Sequence, residues 1–357
     1  MLTMKKNLII GITTAAILAA SAGSALAAPA VSVNGQTLQL EQPPVIVESR
    51  TLVPMRAIFE ALGCDVTWNA DDQSVLARKE LDYVSLAIGD NTLYSNDKTI
   101  QLDVPAQIVN GHVMVPLRSV SEALDAQAVW NADTQLISIT APTQGDYKYT
   151  TKHFTESKDR ISVDMAYPQL IYRADADNTI FSSLNKQWEA AAHARAVAFQ
   201  TEAKGLLADV TEENNRFWTT EERFAVTYNR DKHFSVLFEN MINTGGAHPN
   251  TLRNSAIYDM TTGKSLTLSD ILNGDQKQIE QIILDGFSAR IKAEPDTFYP
   301  EAETYLQEAI ANKTYGYYLS EEGLTFYFQK YEIAPYAAGF QEYTLPFSQT
   351  DAFKLAF

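Results

Sequence analysis

Residues Val53-Pro54-Met55-Arg56 recur as Val115-Pro116-Leu117-Arg118, and the surrounding sequence recurs in step at an offset of 62 residues. Glu60-Ala61-Leu62 returns as Glu122-Ala123-Leu124, and Trp68-Asn69-Ala70-Asp71 as Trp130-Asn131-Ala132-Asp133. Upstream, Thr37, Gln39, Leu40 and Pro43 return as Thr99, Gln101, Leu102 and Pro105. A gapless duplication means one structural unit built twice. Each copy reads as a ββαββ unit. In the first, Val31 to Val33 and Thr37 to Leu40 alternate around Asn34-Gly35, a strong hairpin signal. Val45 to Val47 and Leu52-Val53 are also extended. Pro54 suits the first position of a helix, where its missing N–H costs nothing. Met55, Ile58, Phe59 and Leu62 then share one helical face, and Gly63 ends the helix as a left-handed cap. Val66 to Trp68 and Val75 to Ala77 return as strands, and Tyr83 to Ile88 joins the copies. The second copy places Leu117, Val120 and Leu124 on its helix and Trp130 on its strand.

Arg56 and Arg118 stand in the first helical turn, the wrong end for the helix dipole, so a carboxylate or carbonyl should fix them. Trp68 and Trp130 read as core; stacking on sugars is the functional alternative. These motifs resemble the copper amine oxidase N-terminal-like domain, also called the stalk domain, over roughly residues 31–141. The resemblance implies an envelope-associated module of secreted bacterial proteins and no oxidase chemistry. That chemistry needs three His ligands and a tyrosine-derived quinone on a separate domain, and only His112 falls in this region.

The first 27 residues read as a secretory signal. Lys5 and Lys6 precede an apolar run from Leu8 to Ala20, and Ala25-Leu26-Ala27 is a small-x-small cleavage site. The run is too short for a membrane span, so the expected protein starts near Ala28, exported and without a transmembrane segment. Its net charge of −16, or −18 without the two signal lysines, opposes nucleic acid and anionic polymers and permits a cationic partner. Cys64 is the single cysteine, so no internal disulfide forms. Its repeat mate is Ala126, which points to a small buried packing position.

Residues 28–141 thus form a duplicated stalk domain, with repeats about 31–92 and 93–140. After the turn-rich stretch Ala141 to Gly145 comes an α+β domain over 147–357, divided into subdomains 147–215 and 216–357. Tyr147 to Phe154 and Ile161 to Met165 read as a hairpin. A long helix capped by Asp177 or Asn178 runs to about Leu207. Asp175-x-Asp177 fails as a calcium loop because Ile180 and Lys186 stand where Gly and Glu are needed. Strands follow at Phe224 to Tyr228, Phe234 to Met241 and Ser255 to Tyr258. Helices are expected over Ile279 to Ile291 and Glu301 to Ala311, and strands at Tyr317 to Leu319, Leu324 to Phe328 and Tyr343 to Pro346. Short turns favour an antiparallel sheet with packed helices.

Two segments carry candidate ligand-binding residues. In the first, Gly245 and Gly246 permit close backbone approach, and His248 and Asn250 flank Pro249; the plain alternative is a structural turn. In the second, the aromatic loop Tyr331 to Gly339 offers Tyr331 and Tyr336; the alternative is core packing. With Tyr258-Asp259, Thr262-Gly263-Lys264 and Leu268 to Leu272 between them, these segments resemble a family of exported bacterial domains spanning about 147–355. The family includes the extracellular region of the lysozyme-sensing anti-sigma factor. It also includes the non-catalytic region of peptidoglycan N-acetylmuramic-acid deacetylase. This chain lacks the His-x-x-x-His pattern of a deacetylase metal site.

No nucleophile, metal-ligand or nucleotide motif stands out. Glu212-Glu213 and Glu221-Glu222 read as solvated faces, and His153, His193 and His233 as surface residues. The sequence therefore describes an exported, non-enzymatic envelope protein with no metal and no cofactor, which binds peptidoglycan, a glycan or a cationic wall-active protein such as lysozyme. The alternative is a peptidoglycan-modifying enzyme, deacetylase- or hydrolase-like, with its site near His248.

Overall fold

The computed structural model describes residues 29–96, 98–131, 134–142, 145–174, 177–207, 217–246 and 248–357. The signal, Asp175, Glu212-Glu213 and the centre of the interdomain turn lie outside the described residues. The whole is mixed α+β.

The first copy runs β1 (Ala30–Val33), β2 (Gln36–Thr37), β3 (Val45–Val47), β4 (Arg50–Pro54), α1 (Met55–Ala61), β5 (Asp65–Asn69) and β6 (Ser74–Lys79). A joining strand β7 (Asp82–Ala87) leads to the second, which runs β8 (Thr92–Ser95), β9 (Lys98–Gln101), β10 (Gln107–Val109), β11 (His112–Pro116), α2 (Leu117–Ala123), β12 (Gln127–Asn131) and β13 (Leu136–Thr140). Each copy therefore holds two hairpins before its helix, one more than the ββαββ pattern counts. Pro43-Pro44 and Pro105 interrupt pairing, so β3–β4 and β10–β11 start afresh as separate hairpins. Pro54 is the last strand residue and the helix cap, because its ψ of 112° keeps it extended.

The copies are related by a pseudo-twofold through one backbone pair. β4 and β11 run antiparallel with Val53 opposite Val115, two residues that the repeat makes equivalent. The copies also exchange hairpins. β1–β2 joins β12–β13 in one sheet, with β1 parallel to β13, β3–β4 joins β10–β11 in a second, and β7 fills the space between β6 and β8 in a third. Met55, Ile58, Phe59 and Leu62 are buried in the shared core. Gly63 ends α1 at φ +89°, with the Cys64 N–H returning to Phe59 O at 2.9 Å. Cys64 is buried, and burial pushes its thiol up to about 12, which suppresses the reactive thiolate. Trp68 is half-buried against the core. Trp130 departs from its expected core place and is half exposed. The positions equivalent to His112 and Val113, which stand beside Trp68 in a shared cleft, are Arg50 and Thr51 of the first copy, and Arg50 turns away to Asp103 at 2.6 Å.

In the second domain β14 (Tyr149–Lys158) and β15 (Ile161–Leu170) turn on Asp159 and Arg160, both at positive φ. α3 (Thr179–Leu207) crosses over to β16 (Trp218–Arg230), β17 (His233–Asn243), β18 (Asn250–Asp259) and β19 (Lys264–Ser265). These six strands form one sheet in chain order. All its pairs are antiparallel except β15·β16, because the α3 crossover returns the chain to the same end. α3 lays Phe181, Leu184, Trp188, Ala192, Ala196 and Phe199 on the sheet, and the Trp188 indole N–H donates to Tyr258 Oη at 3.1 Å. Next come α4 (Leu268–Ile271), α5 (Gln276–Ala293), α6 (Ala302–Asn312), β20 (Gly316–Leu319), β21 (Gly323–Phe328) and β22 (Gln341–Pro346). Ile279, Ile283, Phe287, Leu306, Phe326 and Phe328 fill their common core. β15 and β16, on either side of 215/216, are hydrogen-bonded neighbours, and the buried residues beyond Met260 belong to a second cluster that also takes in Tyr228 and Ile257. No helix among the described residues is long and apolar enough to cross a membrane.

A polar seam joins the two domains. Arg78 of β6 pairs with Glu221 of β16. Glu80 accepts from the Tyr149 hydroxyl at 2.6 Å and from the Val226 N–H at 3.3 Å, and burial holds its carboxyl above the usual range. His153, expected at a free surface, bridges Asp65 of the stalk at 3.1 Å and Asp164 of its own sheet at 2.9 Å. Arg223 also reaches Asp164, at 2.6 Å. The hydrogen bond to Asp164 raises the His153 pKa against the opposing effects of burial and Arg223. A raised histidine stabilises the fold in its protonated form. That contribution is complete below the unfolded value of about 6.5 and is lost as pH rises through the higher folded value. His153→Gln should therefore lower stability more in mildly acid than in mildly alkaline buffer, as read by urea unfolding at both. Equal losses would show that the His153 pKa is the same in the folded and unfolded chain.

Candidate functional site

Two loops meet at the open end of the six-stranded sheet. The β17–β18 turn is set by the Asn243 side chain, which accepts from the Gly245 N–H at 2.8 Å, with Gly245 at φ +78°. At Gly246 a Cβ would meet the His248 carbonyl oxygen at 3.8 Å, an ordinary contact, and Asn250 opens β18 opposite Ile242. The second loop connects β21 to β22. Its start is fixed by Glu332, which accepts from the Gln329 N–H at 2.6 Å. Gln329 in turn clamps the Arg253 backbone of β18, accepting at 2.9 Å and donating at 2.7 Å. Tyr331 stands at φ +72°, a conformation that costs a non-glycine residue about 1–3 kcal/mol and persists only when its surroundings hold it.

This geometry brings together His248, Tyr331 and Tyr336. The His248 and Tyr336 rings stack at 4.1 Å and 21°, and the two tyrosine rings lie 5.4 Å apart. Tyr336 donates to Pro249 O at 2.9 Å. His248 Nδ1 lies 3.1 Å from the same carbonyl, and Nε2 lies 3.1 Å from the Tyr331 hydroxyl. A carbonyl can only accept, so Nδ1 carries a proton, and in the neutral ring Nε2 is left to accept from Tyr331. Gly245 and Gly246 shape the turn beside the cluster, and Asn250 lies on its strand edge. Tyr331 is half exposed, so the cluster is a surface and not core.

Its support came from residues that the sequence did not single out. Lys330 Nζ sits 4.4 Å from the Tyr336 ring centre, a cation–π contact. Beneath, Arg253 lies 3.9 Å from the Phe340 ring centre and pairs with Glu239 at 2.6 Å and with Glu342. Tyr318 adds a hydrogen bond to Glu342 at 3.0 Å. A partly buried, doubly paired arginine makes the platform stiff. The surface above it offers two phenols, an imidazole face and one ammonium group. Such groups recognise an aromatic, hydroxylated or mixed-charge partner. Among the described residues, no group of three or more His, Cys, Asp or Glu side chains is placed to hold a metal ion.

The other flagged groups sit elsewhere. Glu222 is fully buried against Arg195, while Glu221 faces Arg78 and Arg223; strand alternation sends the neighbouring acids to opposite faces, so they are not one solvated patch. His233 is buried with its ring 5.1 Å from Phe357, and burial lowers its pKa. His193 packs 4.0 Å from Phe154.

Three family models match separate stretches of the chain. The model of the copper amine oxidase N-terminal domain matches residues 32–139. That of deacetylase PdaC matches 154–251, and that of a protein of unknown function, DUF3298, matches 269–348. The stalk and PdaC modules are typical of extracellular proteins. A relative from Brevibacillus choshinensis named protease inhibitor is 29% identical over 99 residues, which is 27% of this chain and 30% of that protein. Two solved DUF3298 structures are similar. One, from Bacteroides fragilis, has 19% identity and a TM-score of 0.42 over 60% of this chain and 96% of its own. The other, from Pseudomonas aeruginosa, has 18% identity and a TM-score of 0.39 over 59% and 95%.

Proposed function

We propose that this is an exported, non-enzymatic envelope protein whose second domain holds a protein or glycan partner through the His248–Tyr331–Tyr336 surface. The carrying observation is that two loops about 80 residues apart in sequence converge to present these rings on a braced platform, with Tyr331 held at a strained φ. Stalk and PdaC modules support the extracellular setting, with the signal removed after Ala27. The net charge of −16 favours a cationic wall-active protein, whose encounter is steered by long-range attraction and weakened by salt. The relative named protease inhibitor favours a second reading, in which the captured protein is a protease.

The test is a titration of the full mature chain with hen lysozyme at low and physiological salt. A complex that survives physiological salt and weakens about tenfold or more (about 1.4 kcal/mol) in Tyr331→Ala supports the reading. Binding confined to low salt and indifferent to Tyr331 reduces it to charge attraction. Residual activity of a cationic protease titrated in parallel separates the inhibitor reading from the lysozyme reading.

A further inference from the structure

We propose that the stalk domain carries a separate binding cleft for an uncharged, N-acetylated hexose unit of a glycan chain. The cleft has a volume of about 640 Å³ and lies between α1, β5, β6 and the β10–β11 hairpin. It is independent of the surface on the second domain.

Its floor is apolar, formed by Met55, Val66 and Val113, and Trp68 stands along it half-buried. An indole face held in this way packs against the C–H face of a pyranose ring, with its N–H free to serve a polar group. The rim is polar and already ordered. Arg56 donates to Glu60 Oε1 at 3.1 Å and to Val66 O at 2.8 Å. His112 is held between Asn110 O at 3.0 Å and Glu41 at 3.3 Å. Two carboxylates stand beside one guanidinium and one imidazole, so the rim mixes acceptors and donors and holds no concentration of one charge. It suits hydroxyl groups, which donate to the acids and accept from Arg56 and His112. The apolar floor beneath suits the methyl of an acetamido group. Pre-ordered polar groups around an apolar floor are the usual make-up of a small-ligand site.

The pseudo-twofold supplies an internal control. At the equivalent place in the second copy, Arg50 and Arg118 both turn to Asp103, at 2.6 and 3.9 Å. Trp130 there is half exposed. The two copies share a backbone plan but not the arrangement of rim and tryptophan, which assigns one ligand to each chain, on the Trp68 side.

Ile108 borders the cleft and is half exposed; its repeat mate Ile46 is more exposed still, on the opposite edge strand. Neither is core, so Arg can replace either without unfolding the domain, as circular dichroism would verify. Calorimetric titration with a soluble β-1,4-linked N-acetylglucosamine tetramer tests the proposal, with the glucose tetramer as the probe lacking acetamido groups. The expected result is binding of the acetylated tetramer alone, weakened about tenfold or more in Ile108→Arg and unchanged in Ile46→Arg. No binding, equal binding of the two tetramers, or equal losses in the two variants would overturn it.

Discussion

Replacing Arg195 by alanine should destabilise the second domain by about 3–5 kcal/mol, the usual cost of leaving a buried charge without its partner. Glu222 lies on β16 with its side chain 1% exposed. Arg195 reaches it from α3, donating from one terminal nitrogen to Oε1 at 2.6 Å. Its Nε also lies 2.6 Å from Oε2, although that approach is too poorly aligned to count as a second hydrogen bond. Burial pushes the Glu222 carboxyl up, and the arginine opposes the shift. Without Arg195 the opposing force is gone, and the folded pKa rises further above the unfolded value. A group raised in this way is at its most favourable below the unfolded value and loses stability as pH rises through the folded one. The deficit of Arg195→Ala should accordingly be largest at neutral pH and shrink in acid. Arg195→Ala with Glu222→Gln should recover part of it. Urea unfolding at neutral and acid pH reads both effects. A pH-independent loss below about 1 kcal/mol, the scale of a solvent-exposed pair, would mean that water reaches Glu222 and the pair is not a structural element.

That pair also marks the boundary of what the chain's sequence could reveal. Glu221-Glu222 looks like an exposed acidic patch, because nothing local announces an arginine that arrives from a helix 27 residues away. Strand alternation alone, applied with the correct strand limits, would have separated the two acids. The repeat offset made the pseudo-twofold legible and placed both helices to within a residue. It could not say which hairpin joins which sheet, since equivalence between copies carries no information about exchange between them. α3 was legible from its periodicity. The parallel step from β15 to β16 followed from that helix, and was missed because the surrounding turns favoured antiparallel pairing. At the candidate surface the chemical character of His248, Tyr331 and Tyr336 could be read from two unusual loops. Their contact could not, and neither could the support from Lys330, Gln329, Arg253 and Phe340, ordinary residues whose roles depend on tertiary placement.

The larger structural effect in the stalk should come from Phe59→Ala, with an expected loss of about 3–5 kcal/mol. Phe59 is fully buried on α1 beside Met55 and Ile58. Its repeat mate on α2 is Ser121, half-buried, whose hydroxyl donates to Arg118 O at 2.8 Å. The other apolar positions of the two helices correspond in kind: Met55 with Leu117, Ile58 with Val120, and Leu62 with Leu124. One large buried ring therefore has no counterpart in the other copy. Removing it opens a cavity of phenyl size in the core that α1 shares with β4, β5 and β11. Leu124→Ala should cost less, since Leu124 is only half-buried. Phe59→Leu should recover most of the loss by restoring volume. Because the domains meet across a polar seam while their cores stay separate, the destabilisation should appear as earlier proteolytic cleavage within residues 28–141, with cleavage of 147–357 unchanged. Denaturant titration followed by cleavage mapping reads both quantities. A loss under about 0.5 kcal/mol, the range of surface substitutions, would place the Phe59 face of α1 outside the stalk core and remove the packing basis for the paired architecture.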